Sequence, residues 1–301
     1  MSTPPPLPEH GAASTEAAST GAASTGTARS AGAGTAQPWH RFVALGDSFT
    51  EGIGDPDPDA PGGHRGWADR VAEELGRSVP GFEYANLAIR GRLYQEIIDE
   101  QIEPAVALEP DLVSIFAGGN DVIRGRDPDE IAAAMDTAVG RLAETGATIL
   151  LWTGPDVGST PVFHLIRGRT AIYNENMRAI AQRHGAAVVD LWSLRSLTHE
   201  GMWAEDRLHF SPEGHLTIAA HVLDTLGVEH TLQPHDLGDP TALPWREARQ
   251  QDLHWARVHF GPWVVRRLRR QSSGSAVRPK RPSAAPVFGR PMPPGTSASD
   301  R

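Results

Sequence analysis

Short apolar runs rich in β-branched and aromatic residues alternate along this chain with stretches whose apolar positions recur every three or four residues, the periods of strand and helix. Arg41 to Leu45 predicts a first strand, and Gly66 to Leu75 the helix after it. Phe82 to Ala88 reads as a second strand leading into a helix from Arg92 to Ile102, and Asp111 to Ala117 as a third, followed by a helix carrying Ile131, Met135 and Leu142. Thr148 to Thr153 is the fourth. After a long loop comes a helix over Thr170 to His184, with Ile172, Asn176 and Ile180 on one side. Val188 to Trp192 is the fifth strand, and Pro212 to Leu226 a closing helix that starts on Pro, where the missing N–H costs nothing. Strands alternating with helices predict a three-layer α/β/α domain around a five-stranded parallel sheet, spanning residues 39–232. Ligands of such sheets bind beyond the carboxyl ends of the strands, so chemistry is sought there.

The flanks differ in composition. Residues 1–38 are mostly Ala, Ser, Thr, Gly and Pro with no apolar anchor, and are expected to be a disordered leader; residues 271–301, rich in Pro, Ser, Gly and Arg, are expected to be a disordered tail. Between domain and tail, residues 233–270 predict a helical basic appendage, with a helix over Pro244 to Phe260 and a run of arginines ending at Arg270. The net charge of −9 hides an asymmetry, because residues 241–301 hold 12 Arg or Lys against three Asp or Glu. The acidic body argues against nucleic acid as a partner, while the basic segment 263–270 leaves open weak peripheral contact with an anionic membrane. With no cysteine in 301 residues, disulfides, thiolate catalysis and Cys-based metal sites are excluded. The single lysine, Lys280, falls in the Pro-rich tail, away from any predicted site. No apolar run approaches the roughly 20 residues of a membrane-spanning helix, and without a basic start and apolar core in the leader the expected compartment is the cytoplasm.

Four strand ends carry candidate chemistry. After the first strand comes Gly46-Asp47-Ser48-Phe49-Thr50-Glu51-Gly52; a Ser set by Gly at a strand-to-helix turn exposes its hydroxyl, although Asp47 and Ser48 are equally good N-cap residues. Asn86 to Gly91 follows the second strand and Gly118-Gly119-Asn120-Asp121 the third, supplying glycine N–H groups and an Asn amide, donors that ordinary turns also use. Past the fifth strand, Asp206-Arg207-Leu208-His209 places an acid three residues before a histidine, which lets the carboxylate hold one ring nitrogen while the other faces a hydroxyl. His64 and Arg65, soon after the serine turn, are further candidates for the cleft wall, and nearby Trp67 is a core candidate.

Together these residues resemble the four sequence blocks of the SGNH (GDSL-type) hydrolases, over about residues 40 to 226 and in the right order. Phe49 stands where the family's GDSL string has Leu. The resemblance implies a flavodoxin-like SGNH hydrolase fold and a serine hydrolase of the esterase or lipase type, with Ser48 as nucleophile, His209 as base and Asp206 as its orienter. It implies an oxyanion hole from the N–H groups of Ser48 and Gly91 and the amide of Asn120, and no metal or cofactor. The substrate would be a small-molecule or lipid ester. Residues 154–168 form a long apolar segment after the fourth strand, in which Val162, Phe163 and Ile166 are candidate substrate-binding residues; a short helix packed on the domain is the alternative. Thioesterase and sugar-ester deacetylase activities remain open on the same site, as does a non-catalytic α/β binding module.

Overall fold

The computed structural model describes residues 38–158, 160, 163–238, 245–255, 257–258, 274 and 277–288. The expected leader up to residue 37, the candidate Val162 and the basic run 263–270 lie outside the described residues. Six strands form one sheet: β1 (Arg41–Leu45), β2 (Glu83–Asn86), β3 (Leu112–Ile115), β4 (Thr148–Thr153), β5 (Ala187–Asp190) and β6 (Arg281–Pro286). Their order is β5-β4-β3-β1-β2-β6; the first five run parallel and β6 is antiparallel to β2. The helices are α1 (Ser48–Glu51), α2 (Gly66–Ser78), α3 (Tyr94–Ala107), α4 (Gly119–Ile123), α5 (Pro128–Ala143), α6 (Arg167–His184), α7 (Pro212–Leu226) and α8 (Trp245–Trp255).

The period-two alternation of the strands builds the three layers. Phe42 and Ala44 of β1 enter a cluster with Trp67, Val71 and Leu75 of α2 and Ile218 and Val222 of α7. Val43 and Leu45 enter the other cluster, with Ile97 of α3, Met135 and Val139 of α5, and Tyr173 and Met177 of α6. A strand covered on both faces is apolar along nearly its whole length, as in Phe42 to Leu45 of β1 and in β3, whose one polar residue, the buried Ser114, accepts from Trp152 Nε1 at 2.8 Å. Trp67 is fully buried, as expected of a core residue. Among the described residues no helix is long and apolar enough to cross a membrane.

The structure departs from the sequence reading at two places. The sheet has six strands rather than five, and the sixth lies inside the segment expected to be an unstructured tail. Its sequence, Arg-Pro-Ser-Ala-Ala-Pro, has no apolar alternation, because an edge strand beside β2 forms through its backbone and tolerates proline where no ladder bond is needed. Lys280, expected to be stranded, is buried at its base: Nζ donates to the His64 carbonyl at 2.9 Å and pairs with the buried carboxylate of Asp69. The packed face of α6, which the sequence does not define, is formed by Thr170, Tyr173, Asn174, Met177 and Ile180, with Ile172 exposed; Tyr173 and Asn174 bury because their polar ends bond the Ala117 carbonyl and the Gly154 backbone.

Candidate active site

The end of β1 turns abruptly into the single helical turn of α1. Gly46, at φ +153°, makes that turn possible, since a Cβ there would lie 2.5 Å from Thr50 Oγ1 and 2.8 Å from the Phe116 carbonyl oxygen. The buried side chain of Gln101 clamps the same residue, its Oε1 accepting from Gly46 N at 2.8 Å and its Nε2 donating to Gly46 O at 2.9 Å. Asp47 caps α1 by accepting from Phe49 N at 3.1 Å. Ser48 is left half-buried at the carboxyl edge of the sheet, facing a cavity. Gly54, four residues on from Thr50, lets the turn touch the histidine loop: a Cβ there would sit 2.0 Å from the Phe210 carbonyl oxygen.

That loop brings an acid and an imidazole to the serine. His209 Nε2 is 3.0 Å from Ser48 Oγ, and His209 Nδ1 is 2.6 Å from Asp206 Oδ2. The other Asp206 oxygen accepts from the backbone N–H groups of Leu208 and His209, each at 3.0 Å, so the carboxylate is fixed within its own turn. Arg207 takes the left-handed conformation at φ +54° to close that turn, and its N–H donates to the Ala204 carbonyl at 2.8 Å. Burial pushes the Asp206 carboxyl up, but hydrogen bonds from the His209 ring and the two N–H groups, with the nearby imidazole charge, outweigh it and hold the group at about 2. An ionised carboxylate on Nδ1 makes that nitrogen the protonated one and turns the Nε2 lone pair toward the Ser48 hydroxyl.

Gly91 and Asn120 line the same cavity as Ser48. Gly91 sits at φ +78°, and among the described residues nothing accepts from its N–H. The turn that carries it is held from below by Glu51, whose buried carboxylate accepts from Arg90 N at 2.7 Å and Arg90 Nε at 2.9 Å. Asn120 is engaged inside the protein: its amide donates to Asp47 Oδ2 at 2.9 Å and to the Arg92 carbonyl at 3.1 Å, which uses both of its N–H bonds. Burial pushes the Asp47 carboxyl up to about 6, against the N–H of Phe49 and the His209 charge, which lower it.

The cavity, about 550 Å³, is mostly apolar away from these groups, with Phe163 and Ile166 among its walls as the sequence suggested. Phe163 to Ile166 form a 3-10 turn leading into α6, so the segment is both a short helix and a wall. His64 and Arg65 do not line it: Arg65 is turned to Glu73, and the His64 carbonyl is taken by Lys280. His215 is fully buried between Trp67 N and the Ile53 carbonyl and has a packing role. Gln101 and Glu51 support the site, and neither has a role of its own in the sequence reading: Gln101 sits among the polar residues Asp99, Glu100 and Glu103, and Glu51 is one residue of the serine turn. Among the described residues no group of three or more His, Asp or Glu is placed to hold a metal ion.

The GDSL-like lipase/acylhydrolase family matches this chain over residues 44–216, more than half its length and all four strand-end blocks. The chain belongs to this family. As a GDSL-like hydrolase, the domain is an enzyme of the ester-hydrolysing class. Among solved structures it is similar to LAE5, an α/β hydrolase enzyme from the metagenome of Lake Arreo, at 25% identity and a TM-score of 0.53 over 62% of this chain and 95% of that one. It is similar in fold to TesA, at 21% identity and TM-score 0.52 over 62% and 97% of the two chains. Axe2, an acetylxylan esterase from Geobacillus stearothermophilus, shares the fold at 23% identity and TM-score 0.52 over 63% and 95%. The uncharacterized protein YpmR of Bacillus subtilis (strain 168) is 30% identical over 89 residues, a match spanning 28% of this chain and about a third (32%) of that relative's length. The GDSL-like match ends before α8 and β6, which lie beyond the matched residues.

Proposed function

We propose that the domain hydrolyses carboxylic esters through an acyl intermediate on Ser48. The observation that carries this reading is the continuous relay from Asp206 through His209 to Ser48, at 2.6 and 3.0 Å, opening on a largely apolar cavity. In this reading His209 Nε2 takes the Ser48 proton as Oγ attacks the acyl carbonyl, and the Oγ–C bond forms. The oxyanion is met by the N–H groups of Ser48 and Gly91 and by Asn120, whose amide exchanges its bond to the Arg92 carbonyl for the new charge. Collapse breaks the bond to the leaving alcohol, which departs with the proton from His209. Water then attacks the acyl carbon as His209 takes its proton, the Oγ–C bond breaks, and His209 returns the proton to Ser48 Oγ as the acid leaves. Asp206, held ionised, stabilises the imidazolium formed at each stage and fixes its ring.

Hydrolysis of p-nitrophenyl butyrate tests this directly. The wild-type chain should turn it over, and Ser48→Ala should lose at least about 10³-fold in kcat, as removal of a nucleophile does. A folded Ser48→Ala protein with near-normal kcat would rule the mechanism out.

A further inference from the structure

The cavity is not built by the family-matched region alone. Trp255, the last residue of α8, is buried, lines the cavity and reaches the catalytic loop. Its indole Nε1 donates to the Asp206 backbone carbonyl at 2.9 Å, and the Arg207 guanidinium lies over its ring, 5.3 Å from the centroid. Val258, just beyond the helix, lines the same cavity, as do Phe163 and Ile166 from the segment after β4. A volume of about 550 Å³ is in the range of pockets that enclose whole apolar ligands, and far exceeds what a two-carbon acyl group fills. Two segments that do not supply catalytic groups thus shape the space beside the nucleophile, and one of them also bonds the turn that orients the base.

We propose that α8 is a fixed wall of the acyl site, in which Trp255 sets a preference for apolar acyl groups of several carbons and positions the Asp206–His209 turn. The identity of the ligand as an acyl group rests on the serine-esterase reading; the wall itself does not. Both functions come from one side chain by different atoms. The ring faces an acyl chain, and the N–H holds the carbonyl of Asp206. Removing the ring takes away apolar contact that only the longer chain uses, whereas removing only the donor loosens the base for every substrate alike.

The test is kcat/KM on p-nitrophenyl acetate and octanoate, with octanoate binding followed by calorimetry. In the wild-type chain kcat/KM should rise by about threefold to fourfold for each methylene that enters the cavity. Trp255→Ala should lower the octanoate-to-acetate ratio by about tenfold and weaken octanoate binding similarly. Trp255→Phe should keep the ratio while lowering kcat severalfold on both esters. Should Trp255→Ala fail to fold, Val258→Asp on the same wall should give the same loss of octanoate binding. An unchanged ratio and unchanged octanoate affinity in folded Trp255→Ala would overturn the wall, and wild-type kcat in Trp255→Phe would overturn the positioning role. Because octanoate binding needs no turnover, a wild-type chain that binds octanoate but hydrolyses neither ester would reject the esterase reading and retain the wall.

Discussion

Asn120 is the residue whose resting geometry departs most from its proposed task. With both N–H bonds donated to Asp47 and the Arg92 carbonyl, it must give one up when charge develops on the substrate. Asn120→Ala should therefore cost about 10² to 10³ in kcat with KM little changed, the signature of a donor used in the transition state; a raised KM at constant kcat would instead make it a ground-state binding residue. The two nearby carboxyls predict opposite pH trends in stability. Asp206 is held at about 2, below the value near 3.9 of an unfolded chain, so its stabilisation is complete above about pH 4 and is lost as pH falls toward 2. Asp47 is raised to about 6, so its protonated form favours folding below about pH 4, and that advantage is lost as pH rises through 6. Urea unfolding should show wild-type stability falling relative to Asp47→Asn between pH 4 and 6, and a gap between wild type and Asp206→Asn that narrows below pH 4. Ser48, His209 and Asp206 were legible in the sequence because each lies in a contiguous block at a strand end. The clamp of Gln101 on Gly46 was not, because it joins residues 55 apart by two hydrogen bonds that leave no local pattern.

At the scale of elements, the five parallel strands and the α2, α5 and α7 helices announce themselves through apolar period, and β1, β4 and α7 fall on the predicted bounds. The packed face of α6 is not set by apolar period. Its buried face carries Tyr173 and Asn174, polar residues satisfied by backbone partners distant in sequence, while the apolar Ile172 faces solvent. The most consequential element is β6, which the composition of the tail conceals. It pairs with β2 and brings in Lys280, whose buried ammonium, with its side chain 2% exposed, faces the buried carboxylate of Asp69. Burial drives Asp69 up to about 6 even against the charge and hydrogen bond of Lys280, so neither group is comfortable alone. Lys280→Met, by leaving Asp69 buried without its partner, should cost about 3 to 5 kcal/mol in urea unfolding, and adding Asp69→Asn should recover part of it. Removing residues 271–301 should likewise lower the unfolding midpoint; an unchanged midpoint would mean that β6 contributes nothing to the edge it covers.

For the molecule as a whole, one sheet with two apolar faces holds four strand-end blocks at one edge, and the chain beyond residue 216 adds α8 to the cavity and β6 to the sheet. The division explains what the sequence conveys. The candidate chemistry sits in short motifs, whereas the cavity walls at Phe163, Ile166 and Trp255 come from segments whose contacts are set only by folding. All of it depends on Ser48 being a nucleophile poised by His209. A fluorophosphonate probe, which phosphonylates an activated serine and expels fluoride, measures that claim with no assumption about the natural ester. Intact mass and peptide mapping of the full chain should show one adduct, carried on Ser48, formed far more slowly in His209→Ala and absent in Ser48→Ala. A folded wild-type chain that takes up no label, or takes it up on another residue while hydrolysing esters, would contradict the account.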